Sequence, residues 1–114
     1  MALCATLAAG YAQADCAEVG YLATFDVKPG QEKQFEAAVL AVAAKVLAVE
    51  EGVLLYAPFK GAQEGRYYMM ERYRDEQARQ AHAKAPEVLA LFPPLMEQLA
   101  KPLDVQPLSA VCGD

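Results

Sequence analysis

The chain has 114 residues and a formal net charge of −5, with 55% hydrophobic and 22% charged residues. That balance fits one globular domain with a single core and excludes a disordered chain. Lys and Arg are scattered without a basic run or stripe, which argues against a nucleic-acid partner. No apolar run approaches the roughly 18 residues of a membrane span.

Residues 1–18 read as an N-terminal extension, and residues 19–112 as a single domain. The stretch MALCATLAAGYAQA is apolar and closes on Ala12-Gln13-Ala14, the small-x-small form of a signal-peptidase site, but no basic segment precedes it. Two readings stay open. Either the protein is cytoplasmic and keeps an extra segment, or it is exported to the periplasm and this stretch is the end of a signal peptide. The three cysteines, Cys4, Cys16 and Cys112, form no CxxC pair. With one histidine, no Cys/His zinc set can be assembled, so no metal is expected.

Gly20–Val27 alternates, with Tyr21, Ala23, Phe25 and Val27 on one side, and reads as a strand. Lys28-Pro29-Gly30 ends it. From Gln31 the period becomes helical: Phe35, Val39, Val42, Val46 and Val49 recur along one stripe, Glu32 suits the first turn, and Gly52 is a natural stop. Val53–Lys60 is a second strand whose Pro58 marks an edge or a bulge. Its alternation puts Leu54 and Tyr56 on one face and Val53, Leu55 and Phe59 on the other. Gly61–Gly65 is a loop, and Arg66–Tyr73 is a third strand with Tyr67, Met69, Glu71 and Tyr73 on one face. Asp75 caps a short helix reaching about Lys84. A last helical segment, Glu87–Ala100, is kinked or split at Pro93-Pro94, with Phe92 pushed out of helical geometry. Leu103–Ala110 is the final strand.

The order β-α-β-β-α-β predicts an α+β, ferredoxin-like sandwich: a four-stranded antiparallel sheet with helices on one face. In that fold the fourth strand lies antiparallel beside the first, so Cys16 and Cys112 flank neighbouring ends. Two readings stay open here as well: free thiols if the protein is cytosolic, or, if it is exported, a disulfide between them, within a subunit or across a dimer. Strands two and three are apolar or aromatic on both faces, yet helices cover only one. The uncovered face predicts a homodimer, because monomers rarely leave such a patch in water.

The run VKPG at 27–30, then Phe35, EEGVLLY at 50–56, YYMMERY at 67–73 and DEQARQAH at 75–82, resembles the antibiotic biosynthesis monooxygenase superfamily. The likeness covers about Gly20 to Val111. It implies a dimer whose sheets join into an α/β barrel, with a pocket between sheet and helices in each subunit. Some members of that family oxidise quinols or polyketide-derived phenols with O₂ and no metal or flavin, so the resemblance implies no cofactor. Others are isomerases, degrade signals or have no assigned role, and fold alone does not fix the reaction. Haem-degrading relatives carry a histidine on the later helix beside a pocket Trp and Asn. Here Glu87–Ala100 has no His, and the chain has neither Trp nor Asn.

Cofactor-free oxygenation needs an electron-rich substrate, and deprotonating a phenol supplies one. Histidine suits that task, since imidazoles titrate at about pH 6.5. The anion needs hydrogen-bond donors, a task for Tyr hydroxyls, within a dry apolar wall. His82, on the small-residue side of its helix, is either a pocket base or a structural histidine bonded to a backbone carbonyl. Glu71 either orients His82 or binds a substrate hydroxyl, or else is held by a salt bridge or a backbone hydrogen bond. Tyr56 and Tyr73 are candidate donors or packing residues. Phe25, Phe59, Met69 and Phe92 are candidate walls for an aromatic substrate.

The resemblance therefore implies a homodimeric, cofactor-independent monooxygenase of quinol-like or polycyclic phenolic molecules, with His82, Tyr73, Tyr56 and Glu71 as catalytic candidates. Two other readings stand beside it. One is a non-catalytic binding or sensing dimer for a hydrophobic small molecule; the other is an isomerase or lyase that uses the same pocket without O₂.

Overall fold

A computed structural model describes residues 15–112; the Ala12-Gln13-Ala14 motif and Cys4 lie outside them. The elements are β1 (Val19–Asp26), α1 (Glu32–Val49), β2 (Val53–Lys60), β3 (Arg66–Tyr73), α2 (Glu76–His82), α3 (Pro86–Leu89), α4 (Phe92–Glu97) and β4 (Asp104–Ser109). The four strands form one sheet in the order β2-β3-β1-β4, antiparallel at each pairing. The ferredoxin-like architecture is the one the element order predicts.

The helix α1 buries Phe35, Val39, Val42 and Val46, as its 3.6-residue period requires, and Ala43 fills the same stripe. The stripe ends a turn early: Val49, the last helical residue, is 39% exposed. A tyrosine ties the helix to the sheet, with Tyr67 Oη donating to Glu36 at 2.5 Å and Lys60 pairing with the same carboxylate at 3.0 Å. Those two donors hold the Glu36 carboxyl below its ordinary range, the tyrosine more than the lysine.

In β2 the expected alternation is broken. The pairing runs Val53↔Tyr73, then Leu55↔Arg72 and Tyr56↔Glu71, with a bulge between Val53 and Leu55. The extra residue puts Val53 and Tyr56 on the same, helix-covered face, and Leu54 is left 47% exposed. Pro58 sits on this edge strand, where a missing N–H costs no ladder bond. The β2–β3 loop closes through Gly65, whose φ of 78° favours glycine.

Asp75 caps α2 as expected, its side chain accepting from Ala78 N–H at 2.8 Å. The segment that follows is split: α3 ends at Leu89, and a new helix begins at Phe92. Phe92 is thus helical, contrary to the expectation from its proline neighbours. Pro93 and Pro94 fall in the first turn of α4, where no intrahelical partner waits for their missing N–H groups.

The fourth strand is one sheet edge, and all six of its residues are exposed. Cys16 and Cys112 are joined by a disulfide within the chain, with Cα atoms 5.7 Å apart. It ties the stretch before β1 to the stretch after β4. On the outer face of the sheet Leu54, Phe59, Met70 and Leu108 are between 44% and 53% exposed, so the uncovered apolar face is present. Arg72, on the same outer face, pairs with Glu18 at 2.7 Å. No helix among the described residues is long and apolar enough to cross a membrane.

Candidate active site

Between the inner sheet face and the helices lies a cavity of about 320 Å³. Phe25 and Met69 wall it from the sheet, Val39 and Val42 from α1, Phe92 and Leu95 from α4. Its size lies at the lower end for a small-molecule site, and its lining is mostly apolar, as such sites are. Leu103 and Val105 close the β4 side, so the strand that the disulfide secures is also a wall of the cavity.

The polar groups collect at one end. They are Tyr21 on β1, Tyr56 on β2, Glu71 on β3 and His82 at the close of α2. Strand register explains the first three: Tyr21 and Tyr56 both pair with Glu71 across adjacent strands, so the three side chains share one row. His82 arrives from above, its ring 5.3 Å from Tyr56 and 5.4 Å from Tyr73.

His82 is 8% exposed. Its partner is neither a backbone carbonyl nor Glu71. Both carboxylate oxygens of Glu50, at the C-terminal end of α1, lie 3.0 Å from Nδ1. A carboxylate can only accept, so Nδ1 carries the proton, and neutral His82 keeps its lone pair on Nε2. Glu71 is bonded instead by the Tyr73 hydroxyl. The task of orienting His82, weighed for Glu71 from the sequence, belongs to Glu50.

Burial sets the protonation of the remaining groups. Desolvation pushes the Tyr56 hydroxyl far above its ordinary range, with Glu71 and Glu50 adding to the shift. Tyr73 is raised further for the same reason, reinforced by the charge and hydrogen bond of Glu71. Both tyrosines therefore stay protonated, and Tyr73 donates to Glu71. The Glu71 carboxyl is also raised, chiefly by burial, while the Tyr73 bond and His82 oppose that shift. No set of three or more metal-ligating side chains exists among the described residues.

The candidates thus separate. His82, Tyr56, Glu71, Phe25, Met69 and Phe92 face one cavity. Tyr73 is fully buried behind it, touching Glu71 and the His82 ring without lining the space. Phe59 lies elsewhere: it pairs with Tyr68 on the outer face and is 53% exposed. Two residues escaped sequence reasoning about chemistry, Glu50 and Tyr21. A signal for Glu50 existed, since an acid at a helix C-terminus opposes the helix dipole and calls for a compensating partner.

Residues 19–93 match the sequence profile of antibiotic biosynthesis monooxygenase. The chain belongs to that family. No curated protein matches the sequence. Among solved structures, one from Caulobacter crescentus, provisionally assigned as an antibiotic biosynthesis monooxygenase, is 30% identical with a TM-score of 0.79, covering 83% of this chain and 91% of its own. A Mycobacterium tuberculosis protein is 25% identical with a TM-score of 0.76, covering 84% and 97%. A conserved protein from Methanosarcina mazei shares the fold at 22% identity and a TM-score of 0.77, covering 82% and 93%. Family membership supports monooxygenase chemistry at the level of the family and leaves the substrate to be argued from the site.

Proposed function

We propose that this member of the antibiotic biosynthesis monooxygenase family oxidises quinol-like or phenolic small molecules with O₂ and no cofactor. The observation that carries the reading is the Glu50–His82 pair at the polar end of an otherwise apolar cavity. Nε2 of His82 takes the proton of a substrate hydroxyl, and the resulting phenolate is a far better electron donor to O₂ than the neutral phenol. Tyr56, whose hydroxyl has no side-chain hydrogen-bond partner among the described residues, donates to the developing oxyanion. The surrounding Phe and Met side chains keep water from the reactive intermediates. A hydroquinone plus O₂ gives a hydroxyquinone plus water, with every electron supplied by the substrate, so no external reductant enters the balance.

The volume bounds the substrate. At a packing density of about 0.74, the cavity of about 320 Å³ holds roughly 240 Å³ of molecule, enough for a fused two- or three-ring system. Two subunits joined through the outer sheet faces would cover Leu54, Phe59, Met70 and Leu108. The disulfide favours the exported of the two locations, because such bonds persist in oxidising compartments.

Oxygen uptake with a naphthohydroquinone, corrected for spontaneous oxidation, tests the reading. The wild type accelerates uptake, and His82→Ala loses most of that acceleration. Equal rates in the two proteins would remove His82 from the chemistry. Ligand-induced stabilisation without turnover would favour a binding dimer, and substrate conversion that persists under nitrogen would favour an isomerase or lyase.

A further inference from the structure

The Glu50 carboxylate stands between two separate spaces. On one side it holds His82, which lines the cavity; on the other, Glu50 lines a surface groove of about 400 Å³ between the α1–β2 turn and α2. Arg74, Glu51 and Gln77 are in that groove, and Glu50 is not among the lining of the cavity itself. Its side chain keeps 9% exposure, so it is nearly enclosed without being sealed from solvent.

We infer that Glu50 is the proton exit of the cavity: it passes the proton taken from a substrate hydroxyl to water in the outer groove. The inference rests on the reading of His82 as a base. A substrate that fills the cavity displaces the water that would otherwise accept its proton. The chain offers a replacement route. The substrate O–H bond breaks and its proton joins Nε2, while the proton on Nδ1 moves to a Glu50 oxygen 3.0 Å away. Glu50 then releases its proton to groove water, so the substrate loses one proton and the solvent gains one. The reverse relay returns a proton to the product oxygen and restores the starting tautomer of His82.

The surroundings agree with this direction of flow. Tyr56 and Tyr73, the other hydroxyls against His82, are held protonated by burial and cannot accept. On the cavity side Glu71 is already bonded by Tyr73. The charged groups facing Glu50 from the groove are Arg74, Glu51 and Glu87, and none of them forms a salt bridge with it. A carboxylate with its hydrogen-bond partner His82 on the inside and solvent on the outside is placed to hand a proton outward.

Rapid mixing of the full chain with 4-nitrophenol under nitrogen tests the relay without any oxygenation step. Phenolate absorbance reports the proton leaving the probe, and a pH indicator in weak buffer reports its arrival in solvent. In the wild type the two signals rise together and in equal amount. Glu50→Gln still accepts from Nδ1–H and still holds the ring, but it cannot take a proton. Its indicator signal lags the phenolate signal, slowed by roughly tenfold or more. Glu50→Ala shows the same lag, and added formate, small enough for the vacated space, abolishes it; formate does nothing for Glu50→Gln. Should Glu50→Ala not fold, the Gln variant decides alone, because a merely structural Glu50 predicts wild-type release there. Normal release in Glu50→Gln, or a formate-insensitive Glu50→Ala, overturns the relay while leaving His82 as base. A wild type that forms no phenolate overturns both.

Discussion

Glu50 and His82 close two different helices, 32 residues apart, and meet with both carboxylate oxygens 3.0 Å from one imidazole nitrogen. Each is placed by local features of its own helix. Glu50 is the residue on which α1 stops, and Asp75 starts α2 so that its seventh residue reaches the cavity. What brings the two ends together is Gly52. A Cβ there would lie 2.4 Å from the Ala78 Cβ, so only glycine lets α2 settle against the turn into β2.

Gly52→Ala should therefore damage the site from outside it. The clash pushes α2 away, costing about 1–3 kcal/mol of stability, and separates His82 from Glu50. Denaturant unfolding and oxygen uptake measure the two effects. Adding Ala78→Gly removes the opposing methyl group and should recover much of both, as a coupling energy between neighbours. If the double variant is no better than the single one, close approach is not the reason for glycine at 52.

The disulfide predicts a second stability effect. It joins residues 96 positions apart, and a loop of that order gives a large entropic gain when closed. Cys112→Ser should lose about 2–5 kcal/mol in denaturant unfolding. The wild type should lose a similar amount on reduction, with its thiol titre in denaturant rising by two. Because β4 carries Val105 and follows Leu103, both walls of the cavity, ligand binding should weaken in parallel. A titre unchanged by reductant would show that the bond does not form.

The sequence exposed the fold through periodicity. Period two in Arg66–Tyr73 and the helical stripe through Phe35, Val39, Val42 and Val46 matched their elements closely. Strand order put Cys16 and Cys112 near each other, but only the structure shows that they are bonded and that the bond lies within the chain. Reading failed where one residue broke a period or where partners came from distant segments. The bulge near Leu54 shifted the start of β2 by one residue, which alternation cannot reveal. Phe59 looked like a wall because an aromatic residue does not announce its face; its register opposite Tyr68 puts it outside. Glu50 was missed because its role depends on α2 folding back onto the end of α1, a tertiary contact with no local signature beyond an acid at the wrong helix end.

The exposed outer face carries a prediction about assembly. Met70 sits on β3 between its neighbours and is 44% exposed among other apolar side chains. Met70→Asp puts a charge where a second sheet would pack, and light scattering should then report a monomer in place of a dimer. Leu40, 59% exposed on the helical layer, serves as control: Leu40→Asp should leave the mass unchanged. A dimer that survives Met70→Asp would place the interface on another surface.

Glu71 predicts how stability depends on pH. Burial raises its carboxyl above the ordinary value of 4.5, so the folded state holds this proton more tightly than the unfolded state. The resulting stability is complete in acid, below the unfolded value, and is lost as pH rises through the folded one. Glu71→Gln cannot ionise, and its amide oxygen can still accept from Tyr73. The variant should match the wild type in acid and exceed it in mildly alkaline buffer. The gap is about 1.4 kcal/mol for each unit by which the carboxyl is raised. Urea unfolding at the two ends of that range measures it. A difference that does not change with pH would mean that the carboxyl ionises as freely inside the protein as outside, and that the Tyr73 bond and His82 fully offset its burial.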